Sequence, residues 1–320
     1  MRRLSCSYCL PKEIYRYFTV DGAKWFLSNH SLKLTDPTMF NDPFETAIDY
    51  QKSLYTIGFR KLWEYCEDPT PADVLHLNNV LFKELSSYGV VCFSESAIDI
   101  LMWAYYGESH KGVCIEFEPP KDICFFKDLY KLKYKNGFES IKKGDGEDWD
   151  YMDIITAKAE CWAHEKEWRV VKNKKDCSFL NDDKDMFLWP INPQAIKSVI
   201  FGCNMTDYRN VDDTQLQNYL DIIELLKRPE YKDVTIKQVQ KDPFEYKLHC
   251  GEVPFFTYEE QGGKITIVSL KDQEINIVDE YRNVIYKATM CQWEKFEFRL
   301  SKGIYLLYNE EDTGIQLKIL

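Results

Sequence analysis

The sequence predicts an α+β fold: mixed, mostly antiparallel sheets with flanking helices over residues 1–250, then a small all-β sandwich over 251–320. Three observations predict it. Apolar runs bounded by turn residues, such as YGVVCFS and GVCIEFE, read as buried strands. Stretches with helical periodicity fall between them. After Gly251 the pattern changes, and KITIVSL, EINIVDEYRNVIYKA, KFEFRL and GIYLLYN follow at near-regular spacing with no helical run.

Each element has its own signal. EIYRYF, residues 13–18, reads as a short strand, and Asp21 as the N-cap of a helix to about Asn29. SLKLTDP alternates polar and apolar residues and ends as a strand at Pro37. NDPFE, residues 41–45, is turn chemistry: Asn41 and Asp42 can bond their own backbone, and Pro43 blocks a helix interior. Amphipathic helices are expected over 54–65 and 71–87. YGVVCFS, 88–94, is a buried strand. AIDILMWAYY, 97–106, is a helix that Gly107 suits as an end, and GVCIEFE, 112–118, is a strand stopped by Pro119 and Pro120. LYKLKYKN, 129–136, reads as one strand, 150–163 as a helix, and EKEWRVVK, 165–172, as an alternating strand. IKSVIFG closes at Gly202, a helix spans 212–228, and VTIKQVQ with FEYKLHC makes the last strand pair of the first domain.

Composition narrows the function. The chain has 320 residues, and 45% hydrophobic content is enough for a real core. A net charge of −11 argues against duplex nucleic acid, whose affinity comes largely from phosphate neutralisation. The basic stretches are short: Lys131, Lys133 and Lys135; Lys142 and Lys143; Lys172, Lys174 and Lys175. Each reads as a solvated edge or loop. The 11 cysteines are an odd number, and Cys92 and Cys114 sit inside apolar strands, which points to a reducing compartment. Cys6 and Cys9 have CxxC spacing, but no second pair follows, so no metal is expected. No signal peptide and no run of ~18 apolar residues is present. The expected location is the cytoplasm, with no membrane partner.

Four constellations could carry chemistry. In Glu165-Lys166-Glu167-Trp168-Arg169, strand alternation would put Glu165, Glu167 and Arg169 on one face, the carboxylates ~7 Å apart. Such a pair can act as acid, base or electrostatic stabiliser; equally, Arg169 could simply pair with a glutamate on an exposed face. Ser94 and Ser96, at a strand end, could bond an amide ligand or cap the next helix. Trp103 and Tyr106 are spaced to form one aromatic wall beside His110, or to pack in the core. Arg16, between Tyr15 and Tyr17 on the first strand, suits a phosphate or a carboxylate partner.

The strings IYRYF, NDPFE, CFSES, LMWAYYGESHKGVCIEF and WAHEKEWRV, in that order, resemble the bacterial family known as domain of unknown function 2971, over about residues 13–250. A second resemblance is to the ADP-ribosyltransferase superfamily, whose arginine-serine-glutamate members carry an Arg on the first strand, Ser-x-Ser on a central strand and Glu-x-Glu on a later one. Arg16, Ser94-Glu95-Ser96 and Glu165-Lys166-Glu167 occur in that order. The resemblance implies NAD as substrate, with Arg16 on its phosphates and Ser94 supporting the nicotinamide pocket. Trp103 or Tyr106 would wall that pocket. Glu167 would bond the nicotinamide ribose and stabilise an oxocarbenium-like state, and Glu165 would orient or deprotonate the acceptor. Two departures stand out: Glu95 replaces the usual middle Thr, and the stretch before Glu165 reads as helical rather than as a loop.

The leading expectation is therefore an NAD-dependent transferase or NAD-cleaving enzyme, possible roles being a toxin or phage defence. The alternative is a non-enzymatic sensor whose residues 251–320 bind a protein partner. A third reading is a hydrolase built from Glu165, Glu167, Glu116 and His164, for which no metal-ligand spacing is present.

Overall fold

A computed structural model describes residues 10–56, 70–143, 149–176, 187–205, 213–242, 244–253, 255–260, 264–309 and 314–319. The fold is α+β, with a large mixed sheet and several smaller ones. The chain divides into two compact units. Residues 1–17, 28–99 and 115–197 form the first; 18–27, 100–114 and 198–320 form the second.

The chain opens with β1 (Ile14–Phe18), α1 (Val20–Asn29) and β2 (Ser31–Leu34). Thr19, not Asp21, caps α1: its Oγ1 accepts the Gly22 N–H at 3.1 Å. Asp21 lies in the first turn, where its charge suits the helix dipole. Next come α2 (Tyr50–Thr56) and α3 (Pro71–Leu85); the rest of the helix expected at 54–65 lies outside the described residues. Then follow β3 (Tyr88–Ser94), α4 (Ile100–Tyr105) and β4 (Val113–Phe117).

Two expectations fail in the following segment. The strand expected over 129–136 is two, β5 (Leu129–Lys131) and β6 (Lys133–Lys135), in different sheets. Leu132 separates them, its N–H donating to the Glu167 carbonyl at 3.1 Å. After β7 (Lys142–Lys143) and β8 (Trp149–Asp150), the helix expected over 150–163 is only one turn, Met152–Ile155. The chain then forms β9 (Ala157–Ala159), parallel to β6, and a 3-10 turn over Glu160–Glu165. Strand β10 (Glu167–Asn173) begins after it, so Glu165 is not on that strand. Strands β11 (Phe187–Pro190) and β12 (Ile196–Phe201), helix α5 (Asp213–Leu226), β13 (Thr235–Lys241) and β14 (Leu248–Glu252) complete this part. The expected strand FEYKLHC is shorter at its start, because Asp242 Oδ1 accepts the Phe244 and Glu245 N–H groups and bends the chain there.

In the first unit β1, β3, β10 and β5 are hydrogen-bonded neighbours in that order. Leu77, Leu81 and Leu85 share one stripe of α3, and they pack with Val90 of β3, Val171 of β10, Ile48, Ile141, Ile154 and Ile155. Phe93, on the opposite face of β3, meets Phe117 and Phe126 at ring distances of 5.6 and 5.5 Å. The lysines of this unit are mostly paired. Lys131 bonds Glu95, Lys133 bonds Asp153 and Lys135 bonds Glu139. Lys172 is not solvated as expected: it is 3% exposed, pairs with Asp128 and lies over Trp189.

In the second unit β12 and β13 are parallel and β14 is antiparallel to β13. A parallel pair needs a crossover, and α5 supplies it. Tyr219, Ile222, Ile223 and Leu226 form its buried stripe, with Tyr219 4.4 Å from Phe201 ring to ring. The C-terminal strands are β15 (Phe255–Glu260), β16 (Lys264–Ser269), β17 (Gln273–Asp279), β18 (Val284–Met290), β19 (Lys295–Arg299), β20 (Gly303–Asn309) and β21 (Gly314–Ile319). They make two antiparallel sheets, β15-β16-β19 and β18-β17-β20-β21. Ile265, Ile267 and Phe298 from one sheet share a core with Ile275, Ile277, Tyr305 and Leu307 from the other, as in a sandwich.

Gly202 ends β12 because nothing larger fits. A Cβ there would stand 2.1 Å from the His110 carbonyl oxygen and 3.1 Å from the Trp103 ring. Gly202→Ala is expected to destabilise the protein by about 2 kcal/mol through forced backbone displacement. The check is a thermal melt of the variant beside wild type; an unchanged midpoint would show that the backbone yields at little cost.

Candidate functional site

Strand pairing assembles the site in the first unit. Across β3 and β10, Ser94 stands opposite Glu167 and Cys92 opposite Arg169. Tyr15 of β1 stands opposite Ser94. Alternation therefore sends Glu167 and Arg169 to the side shared with Ser94 and Cys92. Glu165 arrives by another route. Lys166 takes a left-handed conformation with φ 46°, which turns the chain sharply between the 3-10 turn and β10. That turn leaves the Glu165 side chain buried.

A buried ionic network results. Lys158 of β9 donates to Glu165 Oε2 at 2.5 Å and to Glu167 Oε2 at 3.1 Å. Arg169 donates through Nε to Glu167 Oε1 at 2.7 Å and through Nη2 to Glu167 Oε2 at 3.2 Å. Its Nη2 also donates to Glu45, and its Nη1 to the Ile155 carbonyl at 2.6 Å. Phe40 lies against the guanidinium, 4.7 Å from its carbon. The Tyr134 hydroxyl accepts the Glu167 N–H at 2.7 Å. Ser94 Oγ donates to the Glu165 carbonyl at 2.7 Å and accepts the Ser96 N–H at 3.1 Å. Arg16 Nη1 donates to the Cys92 carbonyl at 2.6 Å. Exposure is 5% for Glu167, 2% for Glu165, 7% for Lys158 and 1% for Arg169. Charged groups are buried this deeply only when paired.

Burial, more than the balance of charge, sets the titration of Glu167. Three carboxylates, of Glu45, Glu165 and Glu167, meet two cations, of Lys158 and Arg169. Burial raises the Glu167 carboxyl to a pKa of about 7, against the opposing pull of Lys158 and with further repulsion from Glu165. Burial, then the charge of Glu167, pushes the Cys92 thiol up, so it stays protonated. Burial also lowers both Arg16 and Arg169, which remain cations. A carboxyl that exchanges its proton near neutrality can serve as acid, base or stabiliser of a developing cation.

A cavity of about 200 Å³ adjoins the network and is lined by Lys158, Ala157, Ala159, Lys135, Phe44 and Phe138. The Phe44 and Phe138 rings stack 6.4 Å apart. The cavity is below the ~300–1,000 Å³ typical of whole small-molecule sites, so it fits part of a ligand. A larger cavity, of about 320 Å³, lies among residues of the second unit.

Of the residues expected from sequence, Ser94 bonds the Glu165 carbonyl and stands opposite Glu167, and Arg16 bonds the carbonyl of Cys92, two residues from Ser94 on β3. Trp103 and Tyr106 belong to the second unit. Trp103 is fully enclosed, its ring close to Gly107 and Gly202, which leaves no open face for a ligand. Tyr106 meets Tyr105 edge-on at 6.4 Å. Arg169 is buried rather than paired on an exposed face. Glu95 accepts from Lys131 at 2.6 Å and from the Trp168 indole at 2.8 Å, and so is neutralised. Of the hydrolase set, Glu116 pairs with Lys197 at 3.0 Å and His164 packs against Trp162. Among the described residues no three His, Cys, Asp or Glu side chains are grouped to hold a metal. Cys6 and Cys9 lie outside the described residues.

Sequence reasoning missed Lys158, Glu45 and Tyr134. Lys158 stood inside an expected helix. Glu45 was part of NDPFE, which carried only a turn signal. The Lys-Tyr-Lys alternation of 133–135 put Tyr134 on the opposite strand face from its charged neighbours, and that signal was available.

Residues 102–170 match the model of a family described as protein of unknown function (DUF2971), a stretch that includes Lys158, Glu165, Glu167 and Arg169. No curated protein and no solved structure matches the chain. No described helix is long and apolar enough to cross a membrane.

Two outcomes follow from the network. Arg169→Leu is expected to cost about 3–5 kcal/mol, because it strands the Glu45 and Glu167 charges in the interior. A denaturation midpoint near wild type would contradict that. For Glu167 the sign is set by its raised folded pKa of about 7, against about 4.3 unfolded. The folded state binds the proton more tightly, so this stability is complete below the unfolded value and is lost as pH rises through the folded one. The stability gap between wild type and Glu167→Gln should therefore shift toward the Gln variant between about pH 5 and 8. A gap independent of pH would place the titration elsewhere.

Proposed function

We propose that the first unit handles an NAD-type dinucleotide and acts at its nicotinamide glycosidic bond. The observation that carries this reading is the pairing of adjacent strands β3 and β10, where Ser94 stands opposite Glu167, whose buried carboxyl is raised to a pKa of about 7, while Arg16 of the neighbouring β1 bonds the Cys92 carbonyl. Glu167 stabilises the oxocarbenium-like ribose as nicotinamide leaves. Arg16 attracts the phosphates. Ser94 holds the Glu165 carbonyl and so fixes the carboxylate pair. Glu165 meets the acceptor.

Both Glu167 oxygens accept hydrogen bonds in the resting arrangement. Lys158 is the partner able to leave, because it also lines the cavity and rides on a flexible stem. A ligand phosphate would draw its ammonium away and free Oε2 for a ribose hydroxyl. Lys158 thus couples ligand entry to exposure of the reacting carboxylate.

A second reading rests on the C-terminal sandwich. Val284 of β18 and Ile304 and Leu306 of β20 are exposed apolar residues, a surface suited to a protein partner.

The test is nicotinamide release from NAD by the full chain, wild type beside Glu167→Gln, with cell lysate as acceptor source. Release that falls by about 10²-fold or more in the variant is expected. Absence of release in wild type, together with no rise in melting temperature on adding NAD, would sink the reading and favour the protein-partner surface.

A further inference from the structure

We propose that the larger cavity, in the second unit, is a mononucleotide-binding site, independent of the Glu167 site. Its volume is about 320 Å³, within the range of small-molecule pockets. Lys227, Arg228, Lys232 and Lys271 line it, with Glu252 the one acidic side chain in the lining and Trp293 on the wall. Four cations around one concavity, of which Lys227 is paired with Glu224 at 2.7 Å, are unexpected on a chain of net charge −11. They make a local positive field that selects an anion.

The wall narrows the class of anion. An inorganic ion needs neither this volume nor an aromatic surface. An uncharged aromatic ligand does not need the cations. Glu252 adds an acceptor for a hydroxyl or an amino group. A phosphate monoester joined to a hydroxylated sugar and a planar base uses all three: the phosphate at the Arg228 fork and the lysines, the sugar or exocyclic amine at Glu252, and the base on Trp293.

Trp293 supplies an independent observation. Its backbone is left-handed, with φ 67°, which a bulky side chain adopts only under constraint. The Trp293 N–H donates to the Ser269 carbonyl at 2.7 Å, which holds the turn. An Asn or Gly would take this conformation with less strain. A strained aromatic residue kept on a cavity wall points to a contact role for the ring.

The experiment is titration calorimetry of the full chain with AMP and, separately, inorganic phosphate. Arg228 and Lys232 are exposed, so Arg228→Ser with Lys232→Ser leaves the core untouched. Trp293→Asn removes the ring while suiting the backbone, and its melting temperature should hold or rise. Expected results are AMP binding that tightens at low salt, weakens roughly tenfold or more in the double variant and weakens similarly in Trp293→Asn, with phosphate binding much weaker than AMP. The proposal is overturned by any one of these: no AMP binding, AMP binding unchanged in either variant, or phosphate binding as tight as AMP.

Discussion

The interior position of Arg169 constrains more of the first unit than any other group. A guanidinium on a fully buried strand position must find acceptors for its donors or the fold loses several kcal/mol. Three separate segments supply them. Glu167, two residues earlier on the same strand, takes Nε and Nη2. The NDPFE turn brings Glu45, with Asp42 adding electrostatic support. The Met152–Ile155 turn brings the Ile155 carbonyl. The path of the chain around the site follows from satisfying one cation.

That arrangement leaves Glu167 with an unusual proton affinity. Its oxygens are bonded, yet burial outweighs the attraction of Lys158. A surface carboxylate with the same partners would simply be ionised. The network has one part around Arg169 with Glu45 and another around Lys158 with Glu165 and Glu167. The first faces the backbone of Ile155 and the ring of Phe40. The second borders the cavity.

The second unit depends on close backbone approach instead of charge. Gly107, Gly112 and Gly202 each stand where a Cβ would meet backbone atoms. Around them Trp103 is enclosed, and the Gly202 N–H reaches the Gly112 carbonyl at 3.1 Å. The motif LMWAYYGESHKG is therefore a packing device in its own unit, although its aromatic residues read equally well as a ligand wall.

Strands such as Tyr88–Ser94 and Glu167–Asn173, and the all-β character after Gly251, were legible from the sequence because apolar alternation and turn residues are local signals. So were Arg16, Ser94, Glu165 and Glu167 as chemically able residues in an ordered set. The sequence could not place Glu165 off its strand. A left-handed Lys166 has no local signature, since Lys carries no preference for that conformation. Nor could it find Lys158 or Glu45. Their roles arise from pairing across 7 to 124 residues of chain, and the energy of such pairs depends on burial that only the packed state creates. The residue types and their alternation determined which groups were available; the tertiary structure decided which of them met, which were cut off from water, and hence which carboxyl holds its proton near neutrality.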